Sequence, residues 1–353
     1  MIIRMVSCLV ALAVAAALSG CAGGQPAPTG APPTGAPPSG AAPSGPAPAS
    51  GPAPGSPTPA APVGSFSSDN PGSVNVFWLS TPQGLVLVDG LRTLSDARRA
   101  LTQIQATGRP VAAILVTHPH PDHVGGLTEF HRAYPAAPIY ANTATAEFVR
   151  TDPLGFYALT HQQLGDDHPA KPVVPDHTVA AGAPLDVAGL HLETAEFGAG
   201  EAVTAVAYYQ PDTGALFAGD LVGNRVTPAL LEGHTCGWLT GLDQLRARFP
   251  AAKTLYPGHG APGDPATLID AQREYLRTFR ALTWPTAAES SPGGREVTAD
   301  ERRVVVTELD RRYPDYPRVA SLPNIQELNI AAVANELAGE TTTGTAPPPA
   351  CSP

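Results

Sequence analysis

Six apolar residues, Val111 to Val116, run through Thr117 into His118-Pro119-His120-Pro121-Asp122-His123. An unbroken apolar run of this length predicts a buried strand. Three of the chain's ten histidines then fall within six residues, at the strand's end. Imidazole and carboxylate are zinc-type ligands. A tight loop points alternate side chains in different directions. That pattern suits two metals, with His118 and His120 on one and Asp122 and His123 on the other.

The surrounding pattern supplies more elements. Val74 to Leu79 and Leu85 to Asp89 predict two strands joined at Thr81-Pro82-Gln83-Gly84, a hairpin. Thr93 to Thr107 predicts a helix capped by Thr93 or Ser95. Further helices are expected at 127–134, 143–149, 240–249, 265–283, 299–312 and 322–337. Short strands are expected at 138–141, 185–187, 190–195, 203–209, 215–218 and 254–256. Residues 151–180, with four prolines and three histidines, predict loop. The folded part is expected to open near Ser73, and no internal repeat is evident.

Two later motifs follow in order. Phe217-Ala218-Gly219-Asp220-Leu221 places an aspartate after a strand, and Tyr256-Pro257-Gly258-His259-Gly260 places a histidine after another. With Thr117 to Gly126, these segments resemble the metallo-β-lactamase superfamily over roughly residues 73–275. The resemblance implies an α+β fold, an αββα sandwich, here with a C-terminal helical extension. It implies that Asp220 bridges two metals, that His259 completes the second, and that Asp89 braces the metal loop. These motifs are specific for the fold and weakly specific for substrate.

One position departs from the family. A third histidine on the first metal is usual between the cluster and the bridging aspartate, and here Glu201 stands at that place. Relatives resembling alkyl sulfatases also put a carboxylate there; the other reading is an abandoned first site. The expected metal ligands are therefore His118, His120, Asp122, His123, Glu201, Asp220 and His259. The expected catalytic groups are Asp122, Asp220 and His234. His234 reads equally as a proton donor or substrate contact and as an exposed loop histidine. His161, His168, His177 and His191 read as surface residues.

The resemblance implies two zinc ions, with manganese or iron possible. A metal-bridged hydroxide would then attack an ester, lactone, thioester, amide or sulfate ester of a small molecule. Two other readings stay open. One is an iron-dependent oxidoreductase of the same fold, and the other is a surface binding protein with a relict site.

The N-terminus reads as an export signal, with Arg4 ahead of the apolar run Val6 to Leu18. Leu18-Ser19-Gly20-Cys21 resembles a bacterial lipobox, which implies a lipid on Cys21 and attachment to the extracytoplasmic face of the cell membrane. Prolines fill 14 of the 37 positions from Pro26 to Pro62. Such a segment cannot bury apolar area and predicts an extended tether of on the order of 130 Å. The expected organisation is a signal at 1–21 and a linker at 22–65. A catalytic domain at 66–284, a helical extension at 285–340 and a disordered tail at 341–353 follow. A net charge of −10 disfavours nucleic acid as a partner. After processing, Cys236 and Cys351 remain; two cysteines make no disulfide framework, a mandatory bridge from the Pro-rich tail is not expected, and the redox state of the pair stays open. The pattern leaves oligomeric state open.

Overall fold

The computed structural model describes residues 63–180, 182–288, 296–340 and 351. The expected signal, nearly all of the expected linker and most of the C-terminal tail lie outside the described residues.

Two sheets face each other. The first runs in spatial order β1 (Gly64–Ser67), β2 (Asn75–Thr81), β3 (Gly84–Val88), β4 (Val111–Leu115), β5 (Ile139–Ala141) and β6 (His177–Thr178). The second contains β7 (Leu185–Val187), β8 (Leu190–Phe197), β9 (Ala205–Gln210), β10 (Ala215–Gly219) and β11 (Thr254–Pro257), in the order β11-β10-β9-β8-β7. β2 and β3 form the expected hairpin, with Thr81 opposite Gly84. β3, β4 and β5 are parallel, and β10 pairs parallel with β11.

Period-two alternation sorts side chains between layers. Val86 and Val88 of β3 and Ala113 and Leu115 of β4 face inward to meet Tyr208 and Phe217 of the second sheet. Leu85, Leu87 and Ile114 face outward, under α1 (Leu94–Ala106), α2 (Pro121–Val124) and α3 (Leu127–Ala133). α4 (Thr143–Thr151) and α5 (Phe156–Leu164) close that layer. Beyond the second sheet lie α6 (Thr235–Arg248), α7 (Pro265–Ala288), α8 (Ala299–Arg312) and α9 (Ile325–Glu340), over Leu216 and Ala218. Both sheets are thus covered on their outer faces, which is why β3 and β4 are apolar throughout. The result is the four-layer αββα sandwich with a helical extension.

Several elements differ from the sequence reading. β1 starts at Gly64, ahead of Ser73 and inside the expected linker; it adds to the sheet edge with only Phe66 buried. α5 occupies part of the expected loop. It sits between Gly155 and Gly165, both at positive φ, and has little apolar periodicity to reveal it. α9 begins at Ile325 rather than Leu322. α8 matches its expected span, because Thr298 and Glu301 form a reciprocal capping box.

Two expectations are corrected outright. Cys351 is bridged to Cys236, 115 residues away, with Cα atoms 5.2 Å apart. The half-buried Cys351 packs against the helical core. His168 is fully buried, its ring so close to Gly125 that a Cβ there would lie 2.8 Å from Cδ2, and is not a surface residue.

Candidate metal centre

The candidate ligands converge at the ends of strands in both sheets. β4 delivers Thr117 to His120, and the short α2 carries Asp122 and His123. Pro121 opens that helix, where its missing N–H costs nothing. β10 delivers Asp220 and β11 delivers His259, and the β8–β9 connection brings in Glu201. Gly219, at φ +52, turns the chain sharply before Asp220. Its Cα lies so near Thr117 that a Cβ would meet Oγ1 at 2.5 Å.

Asp89 organises the first loop from behind. Its carboxylate accepts from Thr117 N at 2.8 Å, Thr117 Oγ1 at 2.9 Å and His123 Nδ1 at 2.9 Å. Asp89 and Leu91 both adopt positive φ without being glycine. Strained backbone of this kind persists only where surroundings over-determine it. Here Gly90 N bonds His123 O and Gly126 N bonds Leu91 O, so the turn locks onto the ligand loop.

The side chains form two groups, each with ligand atoms within 4.8 Å of one another. His118, His120 and Glu201 make the first; Asp122, His123, Asp220 and His259 make the second. In the first, Glu201 lies 3.3 Å from His118 Nε2 and 2.8 Å from His120 Nδ1. In the second, Asp220 lies 3.2 Å from His123 Nε2 and 3.1 Å from His259 Nε2. Asp122 lies 3.2 Å from His259 Nε2.

These facing atoms are close yet poorly bonded. His118 Nε2, His123 Nε2, Glu201 Oε1 and Asp220 Oδ1 are all buried, and none has a hydrogen-bond partner among the described residues. Orphaned polar atoms are costly to bury. Four of them pointing into one space, from imidazole and carboxylate donors, fit a pair of cations. Zinc-type chemistry suits the donor set.

The electrostatics agree. Burial opposes charge on His120, but Glu201 and Glu232 outweigh it and hold its pKa well above the usual value. Asp220 and Asp89 do the same for His123. For His259, burial again opposes charge, and Asp220 and Asp122 push the pKa up to about 10. Asp122 and Asp220 stay ionised despite burial, held down by Arg92 and by His259 respectively. Burial raises Glu201. Burial lowers His118, aided by His123 and His120. The histidine–carboxylate contacts thus favour charge on His120, His123, His259, Asp122 and Asp220, whereas burial favours the neutral forms of His118 and Glu201.

His234 is exposed at the N-terminal boundary of α6 and lies outside both groups. Three neighbours carried no motif. Glu232 Oε1 lies 3.0 Å from His120 Nε2, Arg92 Nη2 lies 3.0 Å from Asp122 Oδ2, and Phe156 meets the His120 ring edge-on at 5.7 Å. Each comes from a different loop or helix, so spacing along the chain held no signal.

The pattern of the metallo-beta-lactamase superfamily matches residues 69–259. A hydroxyacylglutathione hydrolase of Methylobacillus flagellatus is 32% identical over 186 residues, 52% of this chain and 62% of that protein. A linear primary-alkylsulfatase of a Pseudomonas species is 24% identical over 221 residues, 52% of this chain and 41% of that protein. The chain thus spans less than two thirds of either relative. A solved metallo-beta-lactamase family protein of Thermus thermophilus shares 22% identity and a TM-score of 0.55, covering 78% of this chain and 92% of that one; this likeness is one of fold. With the matched region spanning more than half of its length, the chain belongs to the metallo-β-lactamase superfamily.

Proposed function

We propose that the protein is a two-metal hydrolase acting on an ester-type bond of a small molecule, with zinc as the metal. The observation that carries this reading is the pair of buried ligand groups whose orphaned atoms face one another. His118, His120 and Glu201 would hold one ion, and Asp122, His123 and His259 the other, with Asp220 shared. Bound zinc polarises the scissile bond and brings the pKa of water to about 7.

The chain's own residues do the rest. Asp220 is kept ionised between His123 and His259. Asp122 is anchored by Arg92, at 3.0 Å, and would be held there as a ligand of the second ion. Phe156 covers one edge of His120 and limits solvent access there.

Thioesters and sulfate esters head the substrate list, since relatives are named hydroxyacylglutathione hydrolase and alkylsulfatase. Glu201 favours the second, because sulfatase-like relatives resemble this chain in carrying a carboxylate there. The test is metal analysis of the protein with a panel of thioester, lactone, β-lactam and sulfate-ester substrates. Two zinc ions with chelator-sensitive turnover of one class support the reading. Iron with oxygen consumption, or no metal dependence, overturns it.

The reading extends to placement at the cell surface, tethered through a lipid on Cys21. The Cys236–Cys351 bridge supports export, because disulfides persist in oxidising compartments. Cys21→Ala should release the protein from membranes or leave it unprocessed; unchanged membrane retention overturns the tether.

A further inference from the structure

Each of the four clustered histidines turns one ring nitrogen inward and gives the other to an acceptor. His123 turns Nε2 to Asp220 and Nδ1 to Asp89, 2.9 Å away. His259 turns Nε2 to Asp220 and Nδ1 to the carbonyl of Gly72, at 2.8 Å. His118 turns Nε2 to Glu201 and Nδ1 to Thr117 Oγ1, at 3.0 Å. His120 is reversed. Its Nδ1 faces Glu201 at 2.8 Å, and its Nε2 meets Glu232 Oε1 at 3.0 Å.

The Glu232 side chain is only 3% exposed and comes from 112 residues away in sequence. Its other oxygen, Oε2, is buried with no hydrogen-bond partner among the described residues, so the placement of the side chain rests on how its backbone is held. That support comes from α9. Asn329, fully buried, accepts from Leu230 N at 2.7 Å and donates to Pro228 O at 2.8 Å. On the other side of Glu232, Glu336 accepts from Thr235 Oγ1 at 2.8 Å and from Cys236 N at 3.2 Å. Arg280 of α7 pairs with Glu336 at 3.3 Å and with Glu340 at 2.7 Å, which fixes the helix in turn. Gly233 packs so closely on α9 that a Cβ would lie 3.3 Å from Ala332 O. α9 lies wholly outside the family-matched residues 69–259.

We infer that Glu232 is the positioning residue for His120 and that the C-terminal helix α9 holds it in place, so the extension completes the first ligand group. The inference rests on the two-metal reading. A carboxylate accepting from Nε2–H keeps the proton on that nitrogen and leaves the Nδ1 lone pair facing Glu201 and the space beyond. Without it, the ring is free to flip or to protonate the wrong nitrogen.

The test uses the full chain, stripped of metal and titrated with zinc alone against a chromophoric chelator, with native mass spectrometry for stoichiometry. Glu232→Gln keeps a carbonyl oxygen at the same reach, and its zinc affinities should stay within about threefold of wild type. Glu232→Asp keeps the charge but withdraws it by a methylene. It should weaken one of the two zinc ions by about 10–100-fold and spare the other. Asn329→Ala should weaken that same zinc. Loss in the Gln variant with retention in Asp would mean that charge rather than placement matters, and overturns the inference. So does equal affinity in all variants, with the two-metal reading left standing. An unaltered Asn329→Ala overturns the part assigned to α9. Failure of the wild type to bind zinc at all overturns the two-metal reading and the inference together.

Discussion

Gly258 and Asp220 stand so close that a Cβ on the glycine would lie 1.8 Å from the carboxylate Oδ1. No flexible side-chain end can absorb that overlap, because Asp220 is itself held between His123 and His259. Gly258→Ala should therefore displace the shared carboxylate by about an ångström and reduce kcat/KM by about 100-fold or more. Its melting temperature should change far less than its metal content. Steady-state kinetics with metal analysis check this, and wild-type turnover in the variant would contradict it.

Glu201→Ala should halve the metal content, because the Glu201 carboxylate faces both His118 and His120. Glu201→His should restore the first ion while lowering the pH optimum, since a neutral imidazole leaves the metal a stronger Lewis acid. A pH–rate profile of the restored variant reads the shift. Two ions and full rate in the alanine variant would reduce Glu201 to a turn residue.

The metal-free protein should lose stability in alkali. His259 has a folded pKa raised to about 10, against an unfolded value of about 6.5. Its contribution is fully present below about 6.5 and is lost as pH rises through about 10. His120 and His123 are raised too and act in the same direction. Asp122 and Asp220 are depressed, so their contribution is lost only in acid. Thermal melts of stripped protein across that window should slope downward. Zinc affinity over the same range should rise as protons leave the ligands. A flat melting profile in stripped protein would show that these histidines are neutral.

Breaking the Cys236–Cys351 bridge should destabilise the fold by about 2–4 kcal/mol, because it closes a long loop. Cys351→Ser should lower the melting temperature by several degrees under non-reducing conditions. The same variant under reductant should match reduced wild type. Identical melts in all four samples would remove the bridge from the stability of the domain.

The sandwich and both ligand groups were legible because their signals are local. The apolar run before His118 marks a strand covered on both faces, and the ligands at 118–123, 220 and 259 sit just past strand ends. The helix expected at 299–312 is α8, and the structure adds the reason for its start, the reciprocal cap of Thr298 and Glu301. What stayed hidden depends on contacts across the chain. Glu232, Arg92 and Phe156 reach the site from separate segments, and their own neighbours in sequence are unremarkable loop residues. His168 looks polar in sequence and is buried only because α5 and the loop after it fold over Gly125. The disulfide joins residues whose pairing no spacing rule connects. Gly64–Ser67 offers one apolar residue, Phe66, among small and polar ones, too weak a pattern to mark a strand without its pairing to β2.

The braces on the four ring nitrogens have a consequence for when the cations arrive. Every acceptor is protein: a carboxylate, a hydroxyl, a backbone carbonyl and Glu232. Three separate apolar clusters, none of them built from ligand residues, hold the layers together. The chain is therefore expected to complete its folding empty, unlike small zinc domains that collapse only around the ion. Loading would then be a late, reversible event governed by whatever ions surround the finished molecule. Which metal is found in the protein would then report the medium it was harvested from as well as the preference of its ligands.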